Sequence, residues 1–394
     1  MVQPYAWGSR TAIAELQGRP APTEQPEAEL WMGAHPSAPS RLDRAGGGIT
    51  LDAVIAADPV RELGPGCAAR FGGRLPFLLK VLAAQKALSI QVHPSRAQAE
   101  AGFREETERG LLSGDKARNY VDDWPKPEIL CALTPFEVLA GMRTAADAAA
   151  LFRALAVGDL EPLAARLAAA GRPAALTEAL ASILTWPAGR AAALVDAVVA
   201  ACARLAAQDG PYAAACAATV RIAADHPGDL GVVASLLLRH AVLLPGQAVF
   251  LPAGGLHAYL HGTGVELLAN SDNVVRAGLT GKHIDVPELL KLTDPAVAVP
   301  VIEPRPLGEG VVVYESPARE FRLYRAEITS GEVVLPADGA RLVLCVEGTV
   351  TLRSAAGGTL KATRGESCFL SAADAAVTAA GPGVVFLAAC GLNE

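Results

Sequence analysis

The chain changes character at Arg143. From Thr144 to about His240 it is rich in Ala and Leu, with Gly or Pro breaks at Gly158, Gly171-Arg172-Pro173, Trp186-Pro187 and Gly210-Pro211. AAALFRALA, LEPLAARLAAA, LTEALASIL and AALVDAVVAACARLA place apolar residues three and four apart, which predicts a block of five or six helices. On either side, short apolar runs alternate with Pro and Gly, as in AELWMGAHPSAPS, GGRLPFLLKVL and VLLPGQAVFLPAGGLHAYL, and these read as strands. Local helices are expected near 52–70 and 95–110, and a short one over 287–292. From about residue 301, GVVVYES, FRLYRAEIT, ARLVLCVEGTVTLRS and GVVFLAAC predict an all-β sandwich or jelly roll. The chain is therefore mainly β with an α-helical insertion. Its segments are 1–143, a helical domain over 144–240, a return to the first β-domain over 241–300, and a C-terminal β-domain over 301–394.

A length of 394 residues exceeds what one ordinary core holds. The net charge of −7 argues against a nucleic-acid or anionic-membrane partner. The seven cysteines are odd in number and contain no CxxC pair, so a reduced, cytoplasmic protein is expected. MVQPYAWGSR lacks the basic-then-apolar pattern of a signal peptide. No uncharged apolar run reaches the length of about 18 residues that a membrane helix needs. A monomer is expected.

Two stretches carry the chemistry. In LSIQVHP, Gln91 and His93 are two apart and share one face of a strand. In GQAVFLPAGGLH, Gly246 permits a turn, Pro252 ends a strand ladder and Gly254 lets the chain bend so that His257 aims inward. The second spacing resembles the second motif of the cupin superfamily, in which a histidine ligates a metal in the mouth of a jelly-roll barrel. Gln91-Val92-His93 then stands where cupins carry an HxH pair, and Glu128 in WPKPEILC is the candidate carboxylate. Two imidazoles and two oxygens without a thiolate suit zinc with positions left open for water or substrate.

Further motifs sharpen this. YAWGS, ELWMGAHPSAPS, PFLLKVL, LSIQVHP, NYVDDWPKPE, PFEVLAGMR, LPAGGLHAYL and GVELLANSDNVVRAGLT together resemble the type I mannose-6-phosphate isomerase (phosphomannose isomerase) family over most of the chain. The resemblance implies a catalytic cupin-type jelly roll, a helical insertion and a second jelly roll. It implies a zinc enzyme that interconverts mannose 6-phosphate and fructose 6-phosphate, with Gln91, His93, Glu128 and His257 as ligands. The chain departs from the family where Pro125 replaces a histidine, where Thr280-Gly281-Lys282 replaces TPK, and in an N-terminus that begins almost at YAWG, so that an opening strand is missing or shortened.

An isomerisation between C1 and C2 needs a proton carrier, a stabiliser of oxygen charge and a phosphate anchor. Glu266 is the first choice as base, the alternative being a strand glutamate in an internal ion pair. Lys126 reads as proton donor or oxyanion stabiliser, against a solvated lysine. His35, and less so Asp272, are candidates for ring opening, against a backbone-capping histidine and a turn aspartate. Arg276 is the best phosphate anchor, because a guanidinium fork matches phosphate oxygens. Lys282, Lys80 and Ser89 are expected to add to substrate binding and Trp7 to wall the pocket. Lys80 interrupts an apolar strand, where an unpaired lysine is expensive, so pairing with a structural carboxylate is its other reading. No histidine follows His283, and the C-terminal domain reads as structural. A cupin metal dioxygenase and a non-catalytic sugar-phosphate sensor are the rival functions.

Overall fold

The structure is a computed structural model that describes residues 1–43, 47–112, 114–337 and 339–392. The strand Phe77–Ala84 explains its architecture in miniature. Phe77, Leu79, Val81 and Ala83 face one side, into a core shared with the C-terminal domain. Leu78, Lys80, Leu82 and Ala84 face the other side, into the first barrel. With both faces covered, the strand is apolar almost throughout, as fully buried strands are.

This strand lies between Glu29–Gly33 and His257–Ala269 in an antiparallel sheet. The sheet continues through Glu128–Ala132 and Ala248–Leu251 to Val301–Ile302. That last strand lies just beyond the boundary read at 300, yet it pairs with the first β-domain. The opening strand is short, Val2–Gln3, and pairs with Glu29 and Leu30.

His257–Ala269 is the spine of the barrel. Its first residues pair with Ile90–Val92 and Phe136–Met142, and the rest pair with Phe77–Ala84 and Glu128–Ala132. Between Tyr259 and His261 the pairing slips by one residue. The corner is completed by Gly262, whose φ is +127° and where a Cβ would meet the Pro135 carbonyl oxygen at 2.7 Å. The slip has a consequence for side chains. Before it, odd-numbered Tyr259 faces the barrel and Ala258 and Leu260 face the helices. After it, odd-numbered Val265 and Leu267 face outward, so Glu266 faces in. His257 and Glu266 are nine residues apart, an odd number that strict alternation puts on opposite faces. The bulge brings both inside.

The helical block folds as Ala145–Leu155, Glu161–Ala170, Ala174–Leu184, Ala188–Ala206 and Ala213–Asp225, followed by short turns. The next strand begins at Leu238, slightly before the sequence pattern ends the block. Thr144 caps the first helix, its hydroxyl accepting from the Asp147 N–H. The block covers the outer faces of Ile90–Val92, Phe136–Met142 and Val275–Gly278 through Ile90, Val92, Leu139, Val275 and Ala277. The predicted local helices form over Leu51–Ala57, Pro59–Leu63, Pro65–Arg70, Arg96–Glu108 and Val286–Leu292.

The C-terminal domain is a second antiparallel β-structure over Arg305–Ala389. It packs on the outer face of the first barrel, so that Phe77, Val81, Cys131 and Leu267 share one core with Tyr314, Leu323, Leu342 and Phe386. The Tyr314 hydroxyl donates to the Gly246 carbonyl at 3.0 Å and lies 3.1 Å from the Cys131 thiol.

Candidate active site and metal centre

Gln91 sits on the short strand Ile90–Val92, with His93 just past its end. Gln91 pairs with His257 on one side and with Arg276 on the other. Glu128 opens the strand Glu128–Ala132. The ligand atoms of His93, Glu128 and His257 lie within 4.8 Å of one another, and all three residues are buried. The His93 Nδ1–H donates to the Asn273 carbonyl at 2.8 Å, and the His257 Nδ1–H donates to the Gly255 carbonyl at 2.9 Å. Both Nε2 lone pairs are thereby aimed at the cluster. His93 Nε2 lies 3.3 Å from Glu128 Oε1, and His257 Nε2 lies 3.7 Å from Glu128 Oε2. Neither His93 Nε2 nor Glu128 Oε2 has a hydrogen-bond partner among the described residues. Acceptors left facing one another in a buried place are costly unless a cation satisfies them. Burial, followed by His93, pushes His257 down to about 4, which keeps the imidazole neutral and able to ligate. Burial opposes ionisation of Glu128, but His93, Lys126 and His257 outweigh it and hold the carboxyl well below its usual range. The Gln91 side-chain nitrogen lies 3.3 Å from His257 Nε2, so a half-turn of the amide turns its oxygen toward the same point. The donor set fits zinc.

Beside this cluster runs a charged row. Trp31, Lys80 and Glu266 stand opposite one another on three neighbouring strands. Lys80 Nζ is 3.7 Å from Glu266 Oε2 and 3.6 Å from Glu29 Oε2, and lies over the Trp31 ring at 4.8 Å. Burial opposes the charge on Lys80, but Glu29 and Glu266 hold its pKa above the usual lysine range. One ammonium shared by two carboxylates leaves negative charge in excess. Burial and then Glu128 accordingly push Glu266 up to about 8. Lys126 precedes the strand, yet its Nζ reaches to 3.5 Å from Glu128 Oε1. The Tyr259 ring is buried on the barrel floor.

These residues line a cleft of about 640 Å³. Arg276 and Lys282 line it as well, and neither forms an ion pair among the described residues. Burial lowers the pKa of Arg276. Burial, Arg276 and Lys126 lower that of Lys282. Cations crowded together without counter-charge form an anion site.

A family model described as phosphomannose isomerase type I, catalytic domain, matches residues 1–145. The mannose-6-phosphate isomerase of Escherichia coli K12 is 38% identical over 390 residues, covering 97% of this chain and 96% of that protein. The Bos taurus mannose-6-phosphate isomerase is 33% identical, over 90% of this chain and 88% of its own. The chain belongs to the type I phosphomannose isomerase family. A zinc-bound holo structure of mannose 6-phosphate isomerase superposes with a TM-score of 0.89 at 36% identity, covering 100% of this chain and 98% of that one. A variant phosphomannose isomerase from Salmonella typhimurium gives 0.90 at 35% identity, with the same coverage. Membership in the phosphomannose isomerases sets aside the dioxygenase alternative, and the close fold match accords with the cupin-type architecture read from the motifs.

Within this phosphomannose isomerase cleft, Trp7 and Ser89 line the wall, Trp7 stacked on Tyr5 with ring centroids 5.7 Å apart. The Ser89 hydroxyl lies 3.5 Å from Gln91 Oε1. His35 is not among the cleft-lining residues. It is buried behind Trp31, with Nε2 3.3 Å from Asp272, and it is Asp272 that lines the cleft. Burial opposes ionisation of Asp272, but the hydrogen bond and charge of His35 hold its pKa below the usual range. Lys80 is engaged by carboxylates, as its alternative reading has it. Sequence reasoning passed over Glu29 and Tyr259 and read the helical block as structural or a wall of a cleft without naming a site residue in it; Asp225 and His226 of that block line the cleft, as do Glu29 and Tyr259. The signal that singled out Lys80, a charge inside an apolar strand, stands equally at Glu29 in AELWMG. No helix among the described residues is long and apolar enough to cross a membrane.

Proposed function

We infer that this chain is a zinc-dependent aldose–ketose isomerase that interconverts mannose 6-phosphate and fructose 6-phosphate through a cis-enediol. The observation that carries this is the juxtaposition of the buried acceptors His93 Nε2 and Glu128 Oε2, orphaned among the described residues, with a cleft that Glu128 itself, the buried Glu266 and the cations Arg276 and Lys282 line. Gln91, His93, Glu128 and His257 would hold the metal. When bound, zinc supplies positive charge for the sugar oxygens at C1 and C2.

The remaining work falls to side chains. Arg276 and Lys282 take the phosphate and fix the open-chain sugar along the cleft. Trp7 and Ser89 bound the sugar, and Asp272, oriented by His35, is the group placed to assist ring opening. Glu266 takes the proton from C2 and returns it to C1 in the aldose-to-ketose direction. A carboxylate more basic than usual suits that task near neutral pH. Lys126 and Lys80 stabilise negative charge as the enediol forms. The chain is read as a monomer, which its mass in solution tests.

A coupled assay for fructose 6-phosphate formed from mannose 6-phosphate, run before and after chelation, tests the reading. Turnover that chelation removes and zinc restores is expected. No turnover by the zinc-loaded protein sinks the function, and chelator-insensitive turnover sinks the metal's part in it.

A further inference from the structure

Glu29 is 7% exposed and stands on a strand that is otherwise apolar. Its Oε2 accepts from the Trp31 indole N–H at 2.6 Å, which fixes the carboxylate in place. The same oxygen is 3.6 Å from Lys80 Nζ, nearly matching the 3.7 Å from Lys80 to Glu266. Both distances exceed the 2.7–2.9 Å or so of a closed ammonium–carboxylate hydrogen bond. The ammonium therefore stands between two carboxylates and closes on neither. Lys80 sits directly opposite Glu266 across the ladder, so nothing in the strand register prevents a tight pair. Glu29 is the counter-pull.

We propose that Glu29 is a positioning residue, holding the Lys80 ammonium off Glu266 so that the Glu266 carboxylate remains free to carry the substrate proton. This rests on the isomerase reading given above. The charged and titratable groups that face Glu266 are Lys80 from the strand on one side, Glu29 beyond it, Glu128 and Lys126 from the other side, and Tyr259 along its own strand. Removing the charge at Glu29 leaves Lys80 one partner instead of two. The ion pair tightens, the carboxylate becomes less basic, and proton abstraction slows while phosphate binding at Arg276 and Lys282 is untouched.

The test is Glu29→Gln in the zinc-loaded protein, because Gln keeps the size and still accepts from Trp31. The expected result is a fall in kcat of about tenfold or more, a KM for mannose 6-phosphate within about threefold of wild type, and an acid limb of the kcat–pH profile displaced downward by about one unit. Glu29→Asp retains the charge and recovers most of the loss. A readout that needs no turnover is the carboxyl ¹³C resonance of Glu266, assigned by its disappearance in Glu266→Gln, which titrates at lower pH in Glu29→Gln. An unmoved Glu266 titration overturns the proposal, as does a rise in KM alone. A wild-type protein without turnover, in which the Glu266 titration still moves with Glu29→Gln, sinks the isomerase reading and leaves this coupling standing.

Discussion

The two β-domains are built on one device and use it for opposite ends. Each has a long strand that passes through two ladders, His257–Ala269 in the first and Arg341–Ser354 in the second. Each strand slips by one residue, between Tyr259 and His261 and between Cys345 and Glu347. Each has a glycine with positive φ near the slip. At Gly348 φ is +70°, and a Cβ would meet the Pro382 carbonyl oxygen at 2.1 Å. In the second strand Val343 and Cys345 face inward before the slip, and Val350 and Leu352 face inward after it. Arg341 and Val350 stand the same nine residues apart across the second slip as His257 and Glu266 do across the first. Of the first pair, His257 meets the His93–Glu128 cluster and Glu266 the cleft of lysines and carboxylates beside it. Val350 packs among apolar side chains, and the Arg341 guanidinium is taken up by the Pro336 and Ala375 carbonyls. The barrel sets which positions face in, and the residues at those positions decide whether chemistry follows.

That contrast can be tested from both sides. His257→Ala has the largest effect: zinc content falls and turnover drops by about 10⁴-fold or more, at or beyond what loss of one proton carrier costs. A variant that keeps stoichiometric zinc and wild-type rate would erase the distinction between the barrels. Glu266→Gln comes next, with zinc retained and kcat down by about 10²- to 10⁴-fold. This variant also has a stability signature in metal-free protein. Glu266 is raised from 4.5 to about 8, so the folded state holds a proton that the unfolded state releases. Stability therefore falls as pH rises between those values, and Gln removes this contribution, which urea midpoints across that range measure. The smallest effect is expected in the second barrel. Val350→Thr buries a hydroxyl among apolar neighbours and costs about 1–2 kcal/mol in the same unfolding measurement, with kcat and KM unchanged. A loss of activity there would give the second barrel a part in the reaction.

Much of the site was legible because its chemistry is local in sequence. Gln91 and His93 share a strand face by simple alternation, and the Gly, Pro and Gly before His257 prescribe a corner. The helical block was legible from its period. Other features depend on contacts that no local pattern encodes. The placement of Glu266 required the slip at Tyr259–His261, for which HAYLHGTGVEL offers only the general sign of glycine inside a strand, at Gly262, and nothing that fixes where the register shifts. Lys126 reaches Glu128 although Pro125 and Pro127 keep it out of the strand, because a lysine stem spans what the ladder does not. His35 looked like a site residue because it is a histidine in a loop motif, but Trp31 packs over it and passes its influence through Asp272. Glu29 carries the same signal as Lys80, a charge inside an apolar strand, but only the contact between the two shows what it is for.

The core shared by the two barrels bears on what a fragment of this chain can be. Val81, Cys131 and Leu267, on the back of the strands that carry Lys80, Glu128 and Glu266, are covered by Leu323, Leu342 and Phe386 from the other domain. Cutting the chain before Arg305 would leave that sheet wet on its reverse side, with the Tyr314 link to Gly246 gone. A silent barrel is then the backing plate of a working one. The two β-domains are then expected to lean on one another, so that heat takes both apart together rather than one before the other.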